Sequence, residues 1–227
     1  MAELYKILTQ ISKVTQMVNV KWFGHCCYQI QNAVTILTDP HDGPSLGLPV
    51  PHSRPDVVTI SHPHEDHASG RHLFPDATIL DEPTHTQIKG TTITGVKAYH
   101  DDAAGARLGP NTIFVIEVDG LRFAHMGDLG HPLTDAHLEE IGRVDILMQG
   151  IGREPERADE NISRLKPKVV MPMHYNTPGI IFPWFQLPEV DDFIRDRPHR
   201  RIGGDEATYT RETLPKTAEV HVFSLER

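Results

Sequence analysis

Residues 61–67 read Ser61-His62-Pro63-His64-Glu65-Asp66-His67, directly after the apolar run DVVTI at 56–60. The run has the length and β-branched content of a short buried strand. Two imidazoles at i and i+2 of an extended segment point the same way, and Asp66 and His67 follow on the next turn of chain. Four donors thus leave seven residues within reach of one small volume. First-row divalent metals accept imidazole and carboxylate at about 2.0 to 2.2 Å, which suits such a cluster to zinc, manganese or iron. The competing reading is a histidine-rich surface loop, or the cap of a following helix.

Three further segments weigh against that reading by presenting the same donor types at the ends of strand-like runs. Residues 97–100, KAYH, close an alternating apolar run on His100. Residues 123–131, FAHMGDLGH, follow another, and the glycines at 127 and 130 permit a sharp turn that aims Asp128 inward. Residues 169–175, VVMPMHY, deliver His174. Taken singly, each histidine is more often a hydrogen-bonded structural residue. Together they form the pattern of an open α/β sheet that brings side chains to one rim from the carboxyl ends of its strands.

Around these segments the chain alternates strands with helices. Strands are expected at 18–23, 27–30, 34–37, 56–60, 78–80, 92–99, 112–118, 121–125, 145–148, 168–173 and 219–224, and helices at 134–141 (capped by Thr134), 154–165 and 188–195. Residues 40–55, PHDGPSLGLPVPHSRP, contain too much Gly and Pro for regular structure and read as an ordered loop. No repeat or linker is visible, so an α/β layered single domain is expected over 17–227. Residues 1–16 are either an extra helix or a frayed extension.

Composition narrows the function classes. No apolar run approaches the roughly 18 residues needed to cross a bilayer, and the N-terminus lacks the unbroken apolar core of a secretory signal, so a cytoplasmic location is the expectation. Cys26 and Cys27 are adjacent and read as buried thiols, not as a staple or a metal knuckle. A formal charge of -9 opposes a phosphate backbone, and no nucleic-acid partner is expected. The densest basic stretch, 195–201, reads as a solvated helix end. The outlier is the count of 15 histidines, several of them clustered with acids.

Asp39 in LTDP, the HxHxDH at 62–67, His100, Gly127-Asp128 and His174 in PMHYNT occur in an order that resembles the metallo-β-lactamase superfamily. Gly24-His25, HMGDLGH and LKPKVVMPMHY are most similar to its L-ascorbate-6-phosphate lactonase-like branch of Zn-dependent hydrolases. The resemblance implies a four-layer αββα sandwich with metals at one edge. It implies that His62, His64 and His100 hold one ion, that Asp66, His67 and His174 hold another, and that Asp128 bridges them. The cofactor expected is therefore two divalent ions, zinc foremost, with manganese or iron as alternatives. Asp in place of the bridging Cys of some β-lactamases favours an all oxygen-and-nitrogen site. The lack of a clamp domain or long basic arm demotes a nuclease.

The expected activity is hydrolysis of a small-molecule ester, lactone or phosphoester by a metal-bridging hydroxide, with Asp66 orienting the nucleophile and shuttling its proton. The alternatives are a phosphodiesterase or nuclease acting on nucleotides, and a non-catalytic metal or redox module. Asp39 reads either as an acceptor for the second ring N–H of a metal-binding histidine or as an Asx-Pro turn residue. His25 and His131 are candidates for substrate or metal-shell contact, and His41, His52, His72, His85, His125, His137, His199 and His221 are left as structural or exposed. Residues 178–188, PGIIFPWFQLP, put Trp184 and its apolar neighbours after His174, as a pocket wall, a homo-oligomer interface or core packing.

Overall fold

The computed structural model describes residues 17–152 and 155–225, so the expected extension at 1–16 lies outside the described residues. One sheet holds β1 (Val18–Gly24), β2 (Cys27–Gln31), β3 (Thr35–Thr38), β4 (Val57–Thr59), β5 (Thr78–Leu80) and β13 (Glu206–Tyr209), in the order β13-β1-β2-β3-β4-β5. The other holds β6 (Thr84–Ile88), β7 (Thr91–Tyr99), β8 (Pro110–Val118), β9 (Leu121–His125), β10 (Ile146–Gly150), β11 (Val169–Met173), β12 (His199–Arg201) and β14 (Glu219–Val222), in the order β12-β14-β11-β10-β9-β8-β7-β6.

Successive strand residues point to opposite faces, and the buried residues sort accordingly. Ile36 and Val57 of the first sheet and Phe114, Ile116, Phe123 and Met148 of the second meet in the core between the sheets. Their chain neighbours Ile113, Val115, Ala124 and Leu147 turn outward onto a second cluster with Leu133, Ile141 and Leu165. That cluster is covered by α2 (Asp135–Ile141) and α3 (Pro155–Leu165). Leu37 and Val58 turn outward on the other side, against Phe74 and Ala68 around α1 (Glu65–Ala68). The result is the expected αββα layering. Thr134 caps α2 as read from the sequence, accepting from the His137 N–H while the His137 ring receives the Thr134 N–H.

Three expectations need correction. Strands β6, β12 and β13 were not anticipated, and all three are edge strands. Edges carry polar residues such as Thr84-His85-Thr86 and His199-Arg200-Arg201, so no alternating apolar signal marks them. The helix expected at 188–195 shrinks to α4 (Val190–Ile194). The basic stretch at 195–201 is solvated, but only its first residue, Arg195, caps a helix. Part of it forms β12, and Arg195, Arg197 and Arg201 pair with Asp192, Asp159 and Asp191. Among the described residues no helix is long and apolar enough to cross a membrane.

Strand direction places the site. β1, β3 and β4 run the same way, as do β7, β9, β10 and β11, and the segments that leave their carboxyl ends meet at one rim. The loop at 40–55 contains a 3-10 turn at Pro44–Leu46, and its Leu46 carbonyl accepts the Ile181 N–H at 2.8 Å. The loop at 40–55 and the segment at 178–188 are therefore in contact.

Candidate metal centre

Each expected donor leaves the carboxyl end of a strand. His62, His64, Asp66 and His67 follow β4, His100 follows β7, Asp128 follows β9 and His174 follows β11. His64 is the residue before α1 but makes no capping hydrogen bond through its ring, so the helix-cap reading of the motif does not hold. The backbone is strained where side chains are aimed inward. His174 has φ 61, His25 φ 51 and Asp39 φ 38, left-handed values that side-chain-bearing residues adopt at a cost of about 1 to 3 kcal/mol. Gly127, at φ 54, has no room for a Cβ, which would lie 2.3 Å from Asn111 Oδ1 and 2.5 Å from Ser61 Cβ. Asn111 holds the turn from both sides, donating to the Met126 carbonyl and accepting the Asp128 N–H, each at 3.0 Å.

The donors fall into two groups. His62, His64 and His100 present ring nitrogens within 4.8 Å of one another, and their ring centroids are 4.6 to 4.9 Å apart. Asp66, His67, His174 and His25 form the second group within the same spacing. Asp128 stands between them. Its Oδ2 is 3.2 Å from His100 Nε2 and 3.3 Å from His174 Nε2, while Oδ1 is 3.4 Å from His67 Nε2.

The electrostatics fit a cation site. Burial drives the Asp66 carboxyl up, but the His67 charge and hydrogen bonds from His174, His25 and His67 outweigh it and hold the group ionised. Asp128 is likewise held well below the usual range, burial being overcome by His174 and His67. Burial pulls the His174 imidazole down, but Asp128 beside it and the hydrogen bond that the ring donates to Asp66 lift it to about 9. His67 is raised in the same way, burial losing to Asp66. Protons on these two rings thus balance charge that a divalent cation would balance in their place. His62 Nε2 is buried without a hydrogen-bond partner, a costly state unless its lone pair serves a ligand. The residues fit a divalent metal.

The less anchored candidates separate. Asp39 accepts from His67 Nδ1 at 2.6 Å, so it is the acceptor for a second ring N–H and not merely a turn residue. His25 is fully buried with Nε2 3.0 Å from Asp66 Oδ2, and burial pulls its imidazole down to about 3, so it is neutral and donates. His131 does not enter the cluster. Its Nε2 accepts the Tyr99 N–H and its Nδ1 donates to the Pro132 carbonyl, which uses both ring nitrogens on backbone. Trp184 is half exposed. It packs edge-on against Phe182 at 4.7 Å, and the rings of Phe182 and Phe185 lie 5.1 and 5.7 Å from that of His174.

Sequence reading gave no role to Ser61, although it immediately precedes His62, nor to Asn111 and Gln149. A cavity of about 400 Å³ opens on the cluster, lined by His100, Asp128 and His174 together with Gln149, Arg107 and Arg157.

An αββα sandwich that gathers imidazoles and carboxylates at the carboxyl rim of its two sheets defines a metal-dependent hydrolase of the metallo-β-lactamase class. The chain belongs to the β-lactamase superfamily domain family, which it matches over residues 19–174. It is 29% identical to a UPF0173 metal-dependent hydrolase of Thermococcus onnurineus, with 71% of this chain and 86% of that protein covered. A second relative, the UPF0173 metal-dependent hydrolase Ta0764 of Thermoplasma acidophilum, is 26% identical, with 73% and 87% covered. Among solved structures, a Thermotoga maritima protein described as a Zn-dependent hydrolase of the metallo-β-lactamase superfamily shares 35% identity. It superposes with a TM-score of 0.73 over 92% of this chain and 100% of that one. The chain is thus a metal-dependent hydrolase, and its cofactor is a divalent metal.

Proposed function

We propose that the protein hydrolyses a small-molecule ester, lactone or phosphoester at a centre of two divalent ions, zinc foremost, with manganese or iron as alternatives. His62, His64 and His100 would hold one ion, Asp66, His67 and His174 the other, and Asp128 would touch both. The observation that carries this is the placement of Asp128, whose carboxylate reaches both donor groups within 3.2 to 3.4 Å, Oδ2 toward His100 and His174 and Oδ1 toward His67. When bound, such ions lower the pKa of water to about 7 and polarise the substrate's reacting oxygen. Asp66, gripped through Oδ2, orients the attacking water and accepts its proton. Gln149, Arg107 and Arg157 contact the remainder of the substrate in the cavity, whose volume suits a small molecule. The acidic balance of the chain favours this over a nucleotide-polymer substrate.

The test is elemental analysis of protein purified without added metal, followed by reloading of stripped protein with Zn²⁺ or Mn²⁺ against a panel of lactones, esters and phosphodiesters. Two ions per chain and metal-restored turnover of at least one class are expected. Fewer than two ions, or no restored turnover, would refute the proposal.

A further inference from the structure

We infer that Ser61 and Asp39 form one hydrogen-bonded hub that fixes the ring tautomer of a metal-binding histidine in each donor group, His62 in one and His67 in the other. This rests on the two-ion reading of the centre. Asp39 directly follows β3 and is fully buried. Its Oδ1 accepts the Ser61 N–H at 2.7 Å, and its Oδ2 accepts the Ser61 Oγ–H at 2.6 Å and the His67 Nδ1–H at 2.6 Å. Ser61 Oγ is also 2.9 Å from His62 Nδ1.

Counting hydrogens assigns every role. An ionised carboxylate only accepts, so His67 carries its hydrogen on Nδ1 and the single hydroxyl hydrogen of Ser61 points at Asp39. Toward His62 the hydroxyl has only a lone pair left, and the hydrogen between them therefore sits on His62 Nδ1. That leaves His62 with a bare Nε2 lone pair, buried without a hydrogen-bond partner, while His67 turns its Nε2 toward Asp66 Oδ2 at 3.2 Å and Asp128 Oδ1 at 3.4 Å. Asp39, His62 and His67 also lie within metal-binding distance of one another. Their facing atoms are already joined by hydrogen bonds, so this trio supports the centre from outside and does not form a third site.

The hub is selective and tightly built. His100 Nδ1 and His174 Nδ1 have no hydrogen-bond partner, so it steers only two of the imidazoles. Ser61 is clamped from several directions. Its carbonyl accepts the Thr112 N–H at 2.8 Å, tying the first sheet to the second, and a Cβ on Gly127 would lie 2.7 Å from its Oγ. The glycine that starts the Asp128 turn thus also makes room for the hydroxyl. Ser61 and Asp39 are positioning residues, and losses at such positions typically weaken metal binding about 10- to 100-fold.

Two variants and one spectrum test this. Stripped wild type, Ser61→Ala and Asp39→Asn are titrated with Zn²⁺ against a chromophoric chelator. In Ser61→Ala one ion is expected to weaken by roughly 10- to 100-fold while the other stays within about threefold of wild type. In Asp39→Asn both are expected to weaken, because all three groups facing Asp39 are donors and the new amide NH₂ opposes one of them. Independently, ¹⁵N-histidine NMR of metal-free wild type is expected to show His62 neutral with its hydrogen on Nδ1, and Ser61→Ala to lose that preference. The hub is overturned if wild-type His62 carries its hydrogen on Nε2, if Ser61→Ala binds both ions as wild type does, or if Asp39→Asn weakens only one. Wild type taking up fewer than two ions sinks the two-ion reading instead, and the tautomer measurement on metal-free protein decides the hub even then, or if a variant does not fold.

Discussion

His174 shows how the centre trades protons for metal. Its imidazole holds a proton up to about 9 in the fold, where burial is outweighed by Asp128 and the Asp66 hydrogen bond, against 6.5 for an ordinary histidine. A folded-state pKa above the unfolded one gives stability that is fully present below about 6.5 and lost as pH rises through about 9. His67 is shifted in the same direction, whereas His25 and His62 are lowered and affect stability only on the acid side of 6.5. Chelator-stripped protein is therefore expected to show a Tm that falls between pH 6.5 and 9, by thermal melts monitored by circular dichroism. A flat or rising Tm in that window would contradict the charge assignment of the centre. Four of the expected donors, His62, His64, Asp66 and His67, were legible in the sequence because HxHxDH is a local pattern. The choice for Asp39 between turn residue and acceptor was not, because the deciding atom, His67 Nδ1, lies 28 positions along the chain.

Between β9 and α2, the turn that carries Asp128 depends on a glycine for space as well as for its dihedral. Gly127→Ala would place a methyl against Asn111 Oδ1 and Ser61 in a backbone at φ 54. Overpacking and left-handed strain together are expected to cost about 2 to 4 kcal/mol. Urea unfolding should show this as a lower midpoint, and an unchanged midpoint would mean that the turn relaxes freely. Interior strands such as β8 and β11 were readable because apolar residues fill them, as in Ile113 through Ile116 and Val169 through Met173. Edge strands β6, β12 and β13 were not, since a strand paired on one side has no need of an apolar pattern.

The segment at 178–188 joins the centre to the protein surface. Phe182 and Phe185 stack around His174, and Phe182 also reaches His25 at 5.4 Å, so the aromatic cluster walls the second donor group. Trp184 and Ile181 remain exposed beyond it. Trp184→Ala is expected to raise KM about 3- to 10-fold, the worth of one aromatic contact, with unchanged elution on gel filtration. Dissociation of a larger species with unchanged KM would instead assign this face to a subunit interface. That imidazoles and carboxylates follow strand-like runs was legible in the chain's letters, since motif spacing and apolar periodicity are properties of neighbours along the backbone, whereas the sharing of seven donors between two ions came from the family resemblance alone. Which candidate faces which, why His131 stays out while His25 comes in, and how Ser61 ties His62 to Asp39 were decided only by the tertiary structure, through strand order within each sheet and the packing of the two sheets. Those pairings depend on strand direction, turn dihedrals and distances of 2.6 to 3.4 Å between residues far apart in sequence, and no local pattern encodes them.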